Sequence, residues 1–206
     1  MAPTTASPPT PTVSPDTQLH LRERRLSVEE YVAMGEAGVL GDDDRVELLD
    51  GRLIDMPPIG PPHGHSVNDL EELFARRLYV HDEPLARLSI QNPIQIDDYS
   101  APQPDVVLYD PEMPRDRHPH PEDIFLVVEV ADSSVDYDRT VKAAHYAAAG
   151  LPEYWLVDLP KAVVDVFRQP EADGYAERTR HRAGDALSVA ALPEMETVPV
   201  AQIFPN

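Results

Sequence analysis

The chain has 206 residues, of which 42% are hydrophobic, and a formal net charge of −20. That length suits one domain with enough apolar content for a core. The absence of cysteine excludes a disulfide framework, a thiolate metal site and a cysteine nucleophile, and it fits a reducing cytoplasm. No apolar run reaches the roughly 20 residues that a membrane-spanning helix needs, so no membrane association is expected. The net charge repels nucleic acid, so a nuclease of this composition needs a local basic surface.

The N-terminal segment differs in composition from the rest of the chain. Residues 1–24 are rich in proline, threonine and serine. They bury too little apolar surface to order themselves, so a disordered tail is predicted, followed by a single domain over 25–206. Ser27 and Glu30 form a capping-box pattern, which predicts a helix that begins there and ends by Gly41.

The next elements are predicted from turn chemistry and periodicity. Asp50-Gly51 separates two apolar runs, 45–49 and 52–56, which is typical of a β-hairpin. Residues 57–62 are rich in proline and are predicted to form a loop. Apolar residues then recur at helical spacing, which predicts a helix over 65–79.

The second half of the chain alternates strands with a further helix. A helix is predicted at 136–149, and 110–123 is predicted to be an exposed loop. Strands are predicted at 86–91, 94–97, 105–109, 124–131, 153–158, 162–168 and 175–181. This alternation predicts a mixed α/β domain, with a central mixed sheet flanked by helices and an N-terminal helix and hairpin.

Two acidic residues are placed where a purely structural role is awkward. Asp105 opens the apolar run of one predicted strand, and Glu129 lies inside the apolar strand 124–131. An unpaired carboxylate buried in such a strand is costly, which favours function for Glu129. For Asp105 alone, a turn cap after proline is an equally good explanation. Carboxylates on neighbouring strands can hold a divalent ion that prefers oxygen ligands.

Lys142 is the third candidate, because the chain has only two lysines beside fifteen arginines. An ammonium group is a compact donor, unlike the planar guanidinium of arginine. The structural alternative is an ion pair with Asp138, four residues earlier on the same predicted helix. The placement just after the Glu129 strand favours a functional role.

Other polar residues carry less weight from spacing alone. Glu47 is explained as a solvated strand position, and Tyr146 as a packing residue. His63 and His65 lie at a helix entry, where histidines are usually solvated, so a zinc site is the weaker explanation. The chain contains no G-x-x-x-x-G-K-[ST] phosphate loop, no G-x-S-x-G motif and no H-E-x-x-H motif.

An ordered set of short motifs resembles the Uma family (Uma-two) of restriction endonucleases, within the PD-(D/E)XK nuclease superfamily. The resemblance covers roughly residues 26–204, and each motif is weak alone. The motifs are SVEEY at 27–31, VELLDG at 46–51, MPP at 56–58 with His63, QPDV at 103–106, VVEV at 127–130, DRTVK at 138–142 with Tyr146, and GLPEYWLVD at 150–158.

The resemblance implies a restriction-endonuclease-like core with one Mg²⁺ or Mn²⁺ site at the sheet edge. Asp105 and Glu129 match the two motif acids, and the Val130 carbonyl is a further ligand candidate. Glu47 matches the acidic residue of the N-terminal element. Where the superfamily has lysine, two residues after Glu129, this chain has Ala131, and the resemblance implies that Lys142 supplies the amine instead.

Three functions therefore stay open from the sequence. The first is a metal-dependent endonuclease acting on nucleic acid, DNA in particular, with a homodimer left open. The second is a catalytically inactive nuclease-like module that binds a protein or nucleic-acid partner, which the net charge and Ala131 favour. The third is a two-carboxylate hydrolase acting on a glycoside, which ranks last because lysine has no required role there.

Overall fold

The centre of the protein is a six-stranded mixed sheet. The computed structural model describes residues 23–41, 44–80 and 83–204, so the predicted tail over 1–24 lies almost wholly outside the described residues. The strands, in spatial order, are β3 (Arg87–Ile90), β4 (Val106–Tyr109), β5 (Ile124–Ala131), β6 (Glu153–Asp158), β7 (Val163–Glu171) and β8 (Gly174–His181). Only β5 and β6 pair in parallel within this sheet; the other neighbours are antiparallel.

Both faces of the sheet are buried, which explains the continuous apolar runs in β4 and β5. Val106 and Val128 point to the face covered by helix α2 (Pro61–Leu78), while Val107 and Val127 point to the other face. By the same alternation, Glu129 belongs to the second face. The sheet therefore determines on which side the candidate carboxylates meet.

The N-terminal helix and hairpin form as predicted. Ser27 caps helix α1 (Val28–Glu36) in a complete capping box with Glu30. Strands β1 (Val46–Leu49) and β2 (Arg52–Asp55) pair around Asp50 and Gly51, whose φ angles are 52° and 75°. Such a turn needs two positive φ angles, and glycine accommodates one without strain.

The hairpin is anchored to the sheet by a long segment, 91–104. The Ala101 amide donates to the Leu48 carbonyl at 2.8 Å, and the Gly51 amide donates to the Tyr99 carbonyl at 2.7 Å. All four residues of β1 are buried, Glu47 among them. This docking carries Glu47 to the sheet face that also bears Glu129.

Two predicted elements in the first half are wrong in extent or type. Helix α2 begins at Pro61 rather than at 65, because proline suits the first helical turn, where no amide partner is needed. No strand forms at 94–97. Ile94 and Ile96 are buried and alternate as in a strand, but their amides bond to the Pro102 and Ser100 carbonyls within the same folded-back segment.

The predicted helix over 136–149 is present but not uniform. It consists of α3 (Val135–Tyr137), a π-helical turn over Asp138–Lys142, and α4 (Ala143–Ala148). π-helical turns are rare and are frequent at functional sites. Here the wide turn ends on Lys142, the residue that the sequence singles out.

The C-terminal stretch completes the core beside α2. Strands β9 (Ala186–Leu187) and β10 (Val198–Pro199) pair with each other, and Ile203 is fully buried in the cluster on the α2 face. The Ile203 carbonyl also accepts a hydrogen bond from Ser66 at 2.8 Å. Among the described residues, no helix combines the length and apolar character needed to cross a membrane.

Candidate active site

Lys142 lies between two glutamates in the interior. Its Nζ is 2.9 Å from Oε1 of Glu129 and 3.1 Å from Oε2 of Glu47. The Lys142 residue is only 5% exposed. The alternative of an ion pair with Asp138 is not what the structure shows, since Asp138 instead accepts a hydrogen bond from Ser134 Oγ at 2.5 Å. Lys142 thus joins the hairpin strand β1 to the sheet strand β5.

Asp105 directly precedes β4 and lies in the same cluster. Its carboxylate accepts hydrogen bonds from three donors. The Val130 amide donates to its Oδ2 at 2.8 Å, Gln91 Nε2 donates to its Oδ1 at 3.0 Å, and His63 Nε2 lies 3.1 Å from Oδ2. Burial alone would raise the pKa of Asp105. The hydrogen bond and the charge of His63, together with the hydrogen bonds from Gln91 and the Val130 amide, hold that pKa below its usual value. The lowered pKa favours the ionised form of Asp105.

The pKa of Glu129 is shifted in the opposite direction to that of Asp105. Burial raises the pKa of Glu129 to about 8, although Lys142 opposes the rise; Asp105, Asp138 and Glu47 add to it through charge repulsion. The pKa of Lys142 is also raised: burial opposes this rise, and attraction to Glu129, Glu47 and Asp138 outweighs burial. The ammonium is therefore fully protonated at neutral pH. The cluster holds more carboxylates than cations, so it retains a proton unless another cation joins it.

Tyr146 and Asp138 complete the buried set. The Tyr146 hydroxyl donates to Glu129 Oε1 at 2.6 Å, and its pKa is raised well above the usual value by burial and by Glu129. Tyr146 is therefore not merely a packing residue, as the sequence suggests; it positions Glu129. Burial also raises the pKa of Asp138.

Sequence reasoning missed the contribution of His63. The sequence predicts that His63 is a solvated residue at the start of a helix, but its side chain is largely buried against Asp105. The early start of α2 is the reason, because the helix begins at Pro61 and turns His63 inward. The motif that places His63 just after MPP was the available indication. Gln91 was missed too, and nothing in its local pattern marks it.

The cluster opens into a cleft of about 350 Å³. Its lining combines the charged residues described above with apolar residues, which are Ile54, Met56, Pro57, Pro58 and Ile59. Among the described residues, two buried polar atoms beside this cleft lack a hydrogen-bond partner: His63 Nδ1 and the Tyr137 hydroxyl. Such atoms are costly without a ligand or water.

The donor set fits a divalent ion of the Mg²⁺ type. Mg²⁺ typically takes one or two carboxylates and completes its shell with water and substrate oxygen. In the described part of the chain, no three His, Cys, Asp or Glu side chains converge as a ready metal-binding group. That is compatible with a two-carboxylate site. The Val130 carbonyl is directed to the Asp105 side of β5, because a strand residue points its N–H and C=O the same way.

The sheet topology defines a class of fold, the restriction-endonuclease-like fold. A solved structure described as a putative nuclease belonging to DUF820, from Anabaena variabilis, has the same fold, with a TM-score of 0.69. It is 14% identical and the match covers 87% of this chain and 97% of the other. No sequence among the curated proteins matches the chain.

The sequence model of the Uma2 family, described as "Putative restriction endonuclease", matches residues 28–201. That span is most of the chain, so the protein belongs to the Uma2 family. The resemblance and the fold class predicted from the sequence are both confirmed.

Proposed function

We propose that this protein is a Mg²⁺- or Mn²⁺-dependent endonuclease whose active site is the Glu47–Asp105–Glu129–Lys142 cluster. The observation that carries the proposal is the position of Lys142 Nζ, 2.9 Å from Glu129, on the helical segment that follows β5. The amine thus reaches the acidic residue from the helix, although Ala131 stands at the motif position in the strand. Family membership supports nucleic acid as the substrate.

The metal would be held by Asp105, Glu129 and the Val130 carbonyl. When bound, it supplies Lewis-acid stabilisation of negative charge on the phosphate. Asp105 is suited to this because its pKa is low and three donors fix its carboxylate. Tyr146 holds Glu129 in one orientation through its hydroxyl.

Lys142 acts in this proposal as a donor and a positive charge, because its raised pKa keeps the ammonium protonated. It orients the attacking water or binds a phosphate oxygen, and it does not remove a proton. Glu47 holds the ammonium from the hairpin side at 3.1 Å. A preorganised donor of this kind is worth roughly 10²–10³-fold in rate.

The test is a cleavage assay on single-stranded DNA, duplex DNA and RNA with Mg²⁺ or Mn²⁺. Asp105→Asn is expected to lower the cleavage rate by roughly 100-fold or more, which is the usual effect of removing a principal electrostatic group from an active site. Asp97→Asn, an exposed change of the same kind, is the matched control and should cleave like the parent. Wild-type protein that folds and binds metal but cleaves none of these substrates would favour the inactive binding module.

Lys142→Arg, tested in the same cleavage assay, shows whether the site needs a compact ammonium group or only a positive charge. The positive charge stays, but the planar fork does not replace a compact ammonium between two carboxylates. We expect cleavage to fall by roughly 10²–10³-fold. Because the site is buried, the larger side chain should also cost about 1–3 kcal/mol of stability. Cleavage at the parental rate would show that Lys142 is structural.

A further inference from the structure

A second pocket, of about 360 Å³, has the opposite charge to the rest of the protein. Three arginines line it, Arg87, Arg115 and Arg117, and no Asp or Glu is among its lining residues. The whole chain carries a net charge of −20. A basic pocket in so acidic a protein is the local surface that nucleic-acid binding would require.

The three arginines differ in how far they are already neutralised. Arg117 forms a two-pronged ion pair with Asp123, with its NH2 atom 3.0 Å from Oδ1. Arg87 donates from Nε to the Pro111 carbonyl at 3.1 Å, which fixes its guanidinium. Within the described ranges, neither Arg87 nor Arg115 has a carboxylate within salt-bridge distance. Two positive charges are thus left for a ligand.

Neutral polar side chains line the pocket together with these charges. Asn92 and Ser89 line the same pocket, and Asn92 Nδ2 donates to Ser89 Oγ at 3.0 Å and to the Ile90 carbonyl at 2.9 Å. These contacts hold the Ser89 hydroxyl in place beside Arg87. Both hydrogens of the Asn92 amide are used in these contacts, so the donors left for phosphate oxygens are the fixed Ser89 hydroxyl and the guanidinium groups.

Strand β3 connects this pocket with the acidic cluster. Arg87 and Ser89 alternate to one face of β3, and Gln91, which directly follows the strand with a φ angle of 50°, donates to Asp105. Gln91 is four positions after Arg87, which is about 13 Å along an extended strand at about 3.3 Å per residue. A duplex strand rises about 3.4 Å per step along its axis and also winds around that axis, so a span of about 13 Å covers fewer than four nucleotide steps.

We propose that the Arg87–Arg115 pocket binds a phosphate group, supplied by the backbone of a nucleic-acid substrate a few nucleotides from the cleavage site. The choice of nucleic acid rests on the proposed function, whereas the phosphate chemistry rests on the pocket alone. Free phosphate shares that chemistry and is the other source. The two paired donors of a guanidinium match phosphate geometry, which explains arginine rather than lysine here.

The test measures binding without divalent metal, so that cleavage is not required. A fluorescein-labelled oligonucleotide is titrated by anisotropy at several salt concentrations against wild type, Arg87→Gln and Arg115→Gln. The control is Arg76→Gln, which removes the same charge from the exposed surface of α2, where Arg76 pairs with Glu72. Each pocket variant should weaken binding and lower the salt slope by about 1, and the control should change neither.

Thermal melts of each variant confirm that it folds, so each of the following outcomes decides the matter. Equal weakening in all three variants overturns the proposal, and so does unchanged oligonucleotide binding in the pocket variants together with no response of the pocket to inorganic phosphate. Inorganic phosphate is titrated separately while the NMR signal of Arg87 Nε–H is followed. A shift of that signal with unchanged oligonucleotide binding supports the pocket and assigns it to free phosphate. Selective loss of oligonucleotide binding supports it even if no cleavage is ever seen.

Discussion

Lys142→Met is expected to lower the free energy of unfolding by about 3–5 kcal/mol at pH 8, the cost of leaving buried charges unpaired. Methionine keeps the length and apolar stem of lysine but removes the ammonium that Glu47 and Glu129 share. The matched control is the other lysine of the chain. Lys161 is exposed, with a side chain 59% accessible, and pairs with Asp158 at 3.3 Å, so Lys161→Met should cost less than about 1 kcal/mol.

The origin of the loss is tested by adding Glu129→Gln to Lys142→Met. If the penalty comes from unpaired carboxylates, neutralising one of them should restore part of the stability, and a double-mutant cycle should give a coupling of about 0.5–3 kcal/mol. Denaturant unfolding at pH 8 measures the four proteins of the cycle and Lys161→Met. Equal losses for the two lysine variants, or additive effects in the cycle, would contradict a buried charge cluster at Lys142.

Local patterns predict much of the framework of this protein. The capping box at Ser27, the Asp50-Gly51 turn and the predominantly apolar strand 124–131 each depend on neighbours in sequence. All three appear in the structure as predicted. Glycine, capping and strand chemistry are settled within a few residues, so one sequence carries the information.

Features that depend on distant partners were less predictable. Residues 94–97 alternate as a strand does, but the segment folds back on itself and bonds to 100–102. Glu47 looks like a solvated strand residue, because only docking of the hairpin against the sheet buries it. Spacing along the chain describes one strand at a time and cannot show which element covers it.

The residues of the candidate site also differ in whether local sequence or distant contacts reveal them. Glu129 stands out because a carboxylate in an apolar strand is anomalous by itself. His63 and Tyr146 are ordinary by local pattern, and their contacts with Asp105 and Glu129 span 42 and 17 residues of sequence. The π-helical turn at 138–142 has no indication in the periodicity, although it ends at Lys142.

Glu129→Gln is expected to change how stability depends on pH. In the metal-free fold Glu129 has a pKa of about 8, whereas its ordinary value is 4.5. Between those values the folded state binds more protons than the unfolded state, so the free energy of unfolding falls as pH rises through this window. Below pH 4.5 the contribution is fully present. The loss is at most about 1.4 kcal/mol per pH unit.

The measurement compares wild type, Glu129→Gln and Glu71→Gln, an exposed control on α2, by denaturant unfolding from pH 5 to pH 8. The stability difference between wild type and Glu129→Gln should move steadily against the wild type as pH rises, while the Glu71→Gln difference stays flat. Mn²⁺ should raise the melting temperature of the wild type more at pH 8 than at pH 6, because a cation that takes ionised ligands competes with the proton. Glu129→Gln should lose most of that rise. A pH-independent difference between wild type and Glu129→Gln would show that the proton is not held at this cluster, and an undiminished Mn²⁺ response would show that the ion binds elsewhere.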